Sequence, residues 1–367
     1  PYSDDGRVNA VVTTLATRAA AMADDGELAA HTLNRIWTER LDTGFCSTEI
    51  RRVGDQFAIL VDSGLIAALD VGSVAVARHY GQSFDVSAVT DEVRAGFSRF
   101  FTTFVAQYFL YGRIRYGPPP LSGFEAGVAA RIAHESLVFV LGHELAHAMA
   151  GTRHFHGDHL WTDTEDVPDG LRRYTPEIEA DAVALQMCFG TLWAGQPLGQ
   201  AEVELRLFAV RMSFAILQTI EQCCLTPTFA RHIPAERRWN GVLQFLNSRL
   251  PQWLMDKHNQ DWNTLGPLFD FAPLQSAAPP EDSLTRRLVD TGWVSEVNDL
   301  TVWEEMEIPA RQFRLATPVL HALLGLLADA LDQGDPHSTV LQSEADAHAA
   351  VAKGAAITEA LVDRLPA

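Results

Sequence analysis

The chain has 367 residues, 47% hydrophobic and 20% charged, which is enough apolar material for one large or two modest globular domains and argues against general disorder. A formal net charge of -19 and a pI near 5.0 argue against a nucleic-acid partner, which needs a basic surface, and favour basic partners instead. Cys46, Cys188, Cys223 and Cys224 have neither zinc-finger spacing nor the density of a secreted disulfide scaffold, so a reducing, cytoplasmic setting is expected.

Pro1 to Asp5 carries no basic and apolar secretion signal, and a start at Pro1 leaves room for an upstream segment. Lys occurs only at 257 and 353; with the many Ala, this Arg-biased usage suggests a GC-rich bacterial gene. Ala, Leu, Ile and Trp recur at helical spacing from Arg7 to Ala23 and from Glu27 to Leu41, predicting two packed helices broken at Asp24-Asp25-Gly26. Glu49 to Val53 and Gln56 to Asp62 flank Gly54-Asp55 and predict a small β-hairpin, with Ser63 capping a helix that runs to Tyr80. From Ser87 to Tyr111, residues Phe97, Phe100, Phe101, Phe104 and Tyr108 share one helix face. The stretch from Phe97 to Tyr111 is the nearest approach to a membrane span. Arg99 and Gln107 interrupt it and it is too short, so a core helix is expected and no membrane partner.

After Pro118-Pro119-Pro120, an apolar helix is expected from Phe124 to Met149, then a long loop from Gly151 to Tyr174. Thr175-Pro176 restarts the chain as an N-cap with Pro in the first turn, and helices are expected over 177–193, 200–223 and 235–250. Gly266 to Asp282 is a candidate linker, followed by Ala- and Leu-rich helices over 317–331 and 343–365. The fold expectation is therefore mainly α, a helical core with a small β-hairpin or sheet near residues 49–62. Three regions are expected, 1–120, 121–260 and 283–367, with the option that they pack as one continuous domain.

Within the central helix stands His143-Glu144-Leu145-Ala146-His147. Residues four apart on a helix lie one above the other, so His143 and His147 can hold one metal ion from one face. Glu144 lies about 100° round from His143, placed to reach a water at that metal without being a ligand. His134 falls on the opposite side of the helix and is expected to be structural. Two imidazoles need a third protein ligand. Glu177-Ile178-Glu179-Ala180-Asp181 offers Glu177 as that ligand, with Asp181 one turn later able to accept the free ring N–H of a ligand histidine. Glu179, two residues on, is off that face. His154 is a competing third ligand, of the metzincin kind.

His-Glu-x-x-His followed by Glu-x-x-x-Asp on a second helix resembles the gluzincin metallopeptidases, of which thermolysin and the HtpX and CAAX prenyl protease group are examples. Arg231-His232-Ile233-Pro234-Ala235-Glu236-Arg237-Arg238 looks like a loosened form of the His-Pro and Glu-Arg segment of the latter group, although Ile233 intervenes and membrane spans are lacking. The resemblance covers about Ala133 to Leu246. It implies a Zn2+ held by His143, His147 and Glu177, with Glu144 as general base, Asp181 behind a ligand histidine, and His232 stabilising the oxyanion. The expected function is hydrolysis of peptide bonds in a peptide or protein substrate. Acids at 158, 163, 165, 166 and 169 point to a basic substrate. Two alternatives are a zinc hydrolase of smaller amides or esters and a helical interaction protein with a vestigial site.

Overall fold

The computed structural model describes residues 4–21, 24–41, 48–80, 90–111, 121–156, 175–193, 198–224, 235–269, 322–326, 328 and 344–362. The fold is mainly α with a small three-stranded mixed sheet, as the patterning predicts. In chain order the elements are α1 (Asp4–Ala20), α2 (Asp24–Leu33), β1 (Ile36–Leu41), β2 (Thr48–Val53), β3 (Gln56–Asp62), α3 (Ser63–Tyr80), α4 (Asp91–Tyr111) and α5 (Gly123–His156). They continue with α6 (Thr175–Trp193), α7 (Gln200–Cys224), α8 (Ala235–Arg249), α9 (Gln252–Leu265), a short 3-10 turn (Gly266–Phe269) and α10 (Glu344–Val362).

The chain divides into two compact units, each assembled from separate stretches. One is Pro1–Asp85, Leu121–Ile216 and Ile233–Leu265; the other is Val86–Pro120, Leu217–His232 and Gly266–Ala367. In the second unit the aromatic face of α4 is buried, as its spacing predicts. Phe97 packs edge-on against Phe269 of the 3-10 turn, with ring centroids 5.5 Å apart, and α10 packs on the same helix. The expected 317–331 helix is represented by helical residues 322–326 and 328, and most of the candidate linker lies outside the described residues.

The first unit is built around α5. A capping box starts this helix: Ser122 N–H donates to Glu125 Oε2 (2.8 Å), and Glu125 N–H donates to Ser122 Oγ (3.2 Å). Ile132, Leu137, Val138, Leu141 and Leu145 are buried along it, and α1, α2, α3 and α6 pack around it. Burial on nearly every side is what an almost uniformly apolar helix requires. At Gly142 an added Cβ would meet Ala184 Cα at 3.4 Å, so the missing side chain lets α6 lie close beside the histidines. The helix continues through Gly151 to His156, past the expected end at Met149, so the expected loop cannot start before residue 157. An isolated Gly costs only about 1 kcal/mol relative to Ala, too little by itself to end a helix.

The sheet order is β1-β3-β2, with β2 antiparallel and β1 parallel to β3. Gly54, at φ 66°, makes the tight turn between β2 and β3. The third strand corrects the sequence reading: the helix expected to reach Leu41 stops at Leu33, and Ile36–Leu41 pairs with Phe57–Asp62. Ile36, Trp37 and Thr38 fit a pleated surface, and an available strand edge outweighs a weak helical period. The cap of α3 is Asp62 rather than Ser63, since Asp62 Oδ1 accepts the Gly64 N–H at 2.8 Å. No described helix is long and apolar enough to cross a membrane.

Candidate metal centre

His143 and His147 stand one turn apart on α5, their rings edge to face with centroids 4.7 Å apart. Their Nε2 atoms converge to 3.1 Å. From the first turn of α6, Glu177 closes a triangle: its Oε2 is 3.4 Å from His143 Nε2 and its Oε1 is 3.5 Å from His147 Nε2. Ligand atoms at 2.0–2.1 Å from a tetrahedral ion stand about 3.3 Å from one another. The three side chains therefore have the spacing of a ligand set, and together they form a group that can hold a metal ion. His143 and Glu177 are buried and His147 is partly exposed, which leaves one side of the group accessible.

Asp181, one turn beyond Glu177, lies behind His143. Its Oδ1 is 2.9 Å from His143 Nδ1. An ionised carboxylate can only accept, so the ring proton is assigned to Nδ1 and the Nε2 lone pair faces the triangle. Burial alone would raise the Asp181 carboxyl, but the charge and hydrogen bonds of Arg238, with His143, hold it below the usual carboxylate range. Burial and the Arg238 charge both act to lower the pKa of His143, yet hydrogen bonds to Asp181 and Glu177 prevail and carry it up to about 9. Without an ion, a proton takes the cationic place between these acceptors.

Two further residues join the site to which the sequence reading gave no role. Arg238, on α8, forks onto Asp181, Nε to Oδ2 at 2.9 Å and Nη2 to Oδ1 at 2.5 Å, and its Nη1 reaches to 3.8 Å from Glu177 Oε2. Its guanidinium also lies 5.5 Å over the Phe214 ring, so its place is fixed by packing as well as charge. Thr48, at the start of β2, donates its hydroxyl to Glu144 Oε1 at 2.7 Å. Arg238 lies inside the stretch that drew attention to His232, and a cation opposite Glu-x-x-x-Asp was the available signal. Nothing in local spacing marks Thr48, which acts across 96 positions of chain.

Comparisons with family models, with curated proteins and with solved structures found no match. The chemistry of the site rests on its own residues. Of the residues expected there, His143, His147, Glu177 and Asp181 come together, Glu144 is buried next to His143 along α5 with its carboxylate bonded to Thr48, and His232 lies outside the described residues. His154 is in the last turns of α5, its backbone about 10 Å beyond that of His147 at ~1.5 Å per residue; its side chain is outside those described. His134 faces α1, where its Nε2 lies 3.1 Å from Thr14 Oγ1. Glu179 is off the ligand face and half-buried in the wall of a cleft beside His147, and burial raises its carboxyl.

Proposed function

We propose that the protein is a zinc-dependent metallopeptidase of the gluzincin type. The observation that carries this reading is the triangle of ligand atoms, with Glu144 next to it and Asp181 behind it. Charge supports a dication: the carboxylates of Glu144, Glu177 and Asp181, all buried, outnumber the one cation beside them, Arg238, by two. Two imidazoles and a carboxylate suit zinc, and an ion of this kind supplies Lewis acidity, lowering the pKa of water toward 7 and polarising a carbonyl oxygen.

The chain's own residues do the rest. Glu144 takes a proton from the attacking water and delivers it to the leaving amine. The Thr48 hydroxyl occupies Oε1 of that carboxylate and leaves Oε2 to take the proton. Asp181 keeps the His143 Nε2 lone pair presented, and Arg238 keeps Asp181 ionised and in place. The substrate is a peptide or protein, and the sparse cysteines support a reducing, cytoplasmic setting.

The test is metal analysis of the purified protein combined with digestion of a peptide library. About one zinc per chain is expected. Glu144→Gln should keep the zinc and lose on the order of 10²- to 10⁴-fold in turnover. Stoichiometric iron, or cleavage of small amides and esters but no peptide, would replace this reading.

A further inference from the structure

Three enclosed arginines of the first unit each hold a carboxylate. Arg18 meets Glu135 at 2.7 Å, Arg206 meets Glu202 at 2.8 Å and Arg238 meets Asp181 at 2.5 Å. Arg211, half-buried on α7 in the same unit, differs. It has no acidic partner among the described residues, in a chain with 47 acidic residues against 28 basic. Burial lowers its pKa to about 10, with no carboxylate acting to restore it.

The groups that hold Arg211 are neutral. Its Nη1 donates to Asn259 Oδ1 on α9 at 2.9 Å, and its guanidinium lies 5.0 Å from the ring centroid of Trp239 on α8 and 4.8 Å from that of Trp262 on α9. Two indoles and an amide fix the cation in place but leave its charge whole. Nearby, Lys257 is already paired with Glu204 and Asp261, at 3.2 and 2.9 Å. His258, beside Asn259 and 1% exposed, has no partner for either ring nitrogen among the described residues. The junction of α7, α8 and α9 therefore carries an uncompensated positive charge and a shortage of acceptors.

The shortage has a definite place on Arg211. Its Nε and Nη2 have no acceptor among the described residues, and neither is fully enclosed without a partner, as Arg99 Nε is. That edge of the guanidinium is thus reachable from solvent. It is the edge with which Arg238 forks onto Asp181, Nε to one oxygen and Nη2 to the other. A planar carboxylate matches it with two parallel hydrogen bonds.

We propose that Arg211 is a binding site for the carboxylate of an acidic ligand, held in place by Trp239, Trp262 and Asn259 and open along its Nε–Nη2 edge. Packing alone would be served by an uncharged side chain, without the cost of desolvating a charge. On a chain of net charge -19, an anion is repelled elsewhere and meets a fixed receptor here. The site is independent of the peptidase reading.

The test is titration of the full chain with succinate, N-acetyl aspartate amide, inorganic phosphate and chloride at constant ionic strength, read by tryptophan fluorescence because two indoles touch the cation. A saturating change with succinate or the blocked aspartate is expected, and the tighter of the two tells whether a free acid or an acidic side chain is the ligand. Arg211→Lys keeps the charge and loses the fork, so it should weaken binding about 10-fold or more. Arg211→Gln should abolish it, and Lys257→Met should leave it unchanged. In the unaltered protein, isotope-labelled at arginine nitrogens, one Nε–H resonance should move with the same saturation. A response that grows without saturating, that chloride reproduces, that is stronger for phosphate, or that survives Arg211→Gln overturns the carboxylate site.

Discussion

Helix α5 carries two buried polar clusters about two turns apart, and they use charge in opposite ways. At Glu135, which is fully buried, Arg18 from α1 donates at 2.7 Å, and Arg131 and Arg206 approach to 3.4 and 3.8 Å. Glu202 on α7 pairs with the latter two, and the spare guanidinium donors go to the Met187 and Cys188 carbonyls at 3.3 and 2.5 Å. Donors there face acceptors, and four helices are tied together by direct bonds. At His143 the geometry is the reverse: two imidazole nitrogens and a carboxylate, all acceptors in the neutral tautomer, face one another at 3.1 to 3.5 Å. Acceptors crowd together only around a cation. Burial therefore does not distinguish a group that can hold a cation from a structural ion-pair cluster, whereas the direction of the hydrogen bonds does.

The contrast can be broken most severely at the ligands. His143→Ala, His147→Ala or Glu177→Ala should each abolish stoichiometric metal, read by mass spectrometry of the purified protein, while Glu135→Ala leaves it intact. His154→Ala should also leave the metal in place; metal lost with His154 and kept without Glu177 would move the site to the metzincin arrangement.

Next in size, Glu135→Ala should cost about 3–5 kcal/mol, because it strands the buried Arg18, and it should shift the urea midpoint accordingly. A wild-type midpoint would mean that this cluster is not the lock its geometry describes.

Asp181→Asn comes third. It frees the His143 ring and weakens the hold of Arg238, so metal affinity should fall about 10- to 100-fold with the fold retained. Titration against a competing chelator measures this. Arg238→Gln should give a similar or smaller loss.

A further buried ring, away from both clusters, sharpens the contrast. His258 is 1% exposed, and burial, with the nearby charges of Arg211 and Lys257, lowers its pKa to about 3. The unfolded chain takes up a proton near pH 6.5 that the folded chain refuses. His258 thus costs no stability above that pH, and stability falls by about 1.4 kcal/mol per unit as pH drops from 6.5 toward 3. The acid limb of a melting-temperature profile should flatten in His258→Phe.

The candidate ligand set was legible in the sequence because it is written in helical spacing. His143 and His147 are i and i+4, Glu177 and Asp181 are i and i+4, and each pair announces its own face. The aromatic face of α4 and the β2–β3 turn at Gly54 were legible for the same local reason. What escaped was non-local. β1 is a strand because β3 offers an edge, Arg238 matters because α8 folds back onto α6, and Thr48 reaches a carboxylate on a distant helix. The continuation of α5 to His156 was missed because Gly151 reads as a stop, although a single Gly costs a helix little.

The interleaving of the two units has a temporal side. The unit with the candidate metal centre draws its last stretch from Ile233–Leu265, after the chain has twice left it for the other unit. During synthesis Thr48 emerges first, then His143, Glu144 and His147, then Glu177 and Asp181, and only much later Arg238. The three ligands are thus made before the guanidinium that anchors Asp181, and a nascent chain halted between them holds an incomplete centre. Long-range contacts of this kind form late and slowly. The order of residues along the chain thus acts as a delay, in which the candidate ligands wait for the last stretch of their own unit.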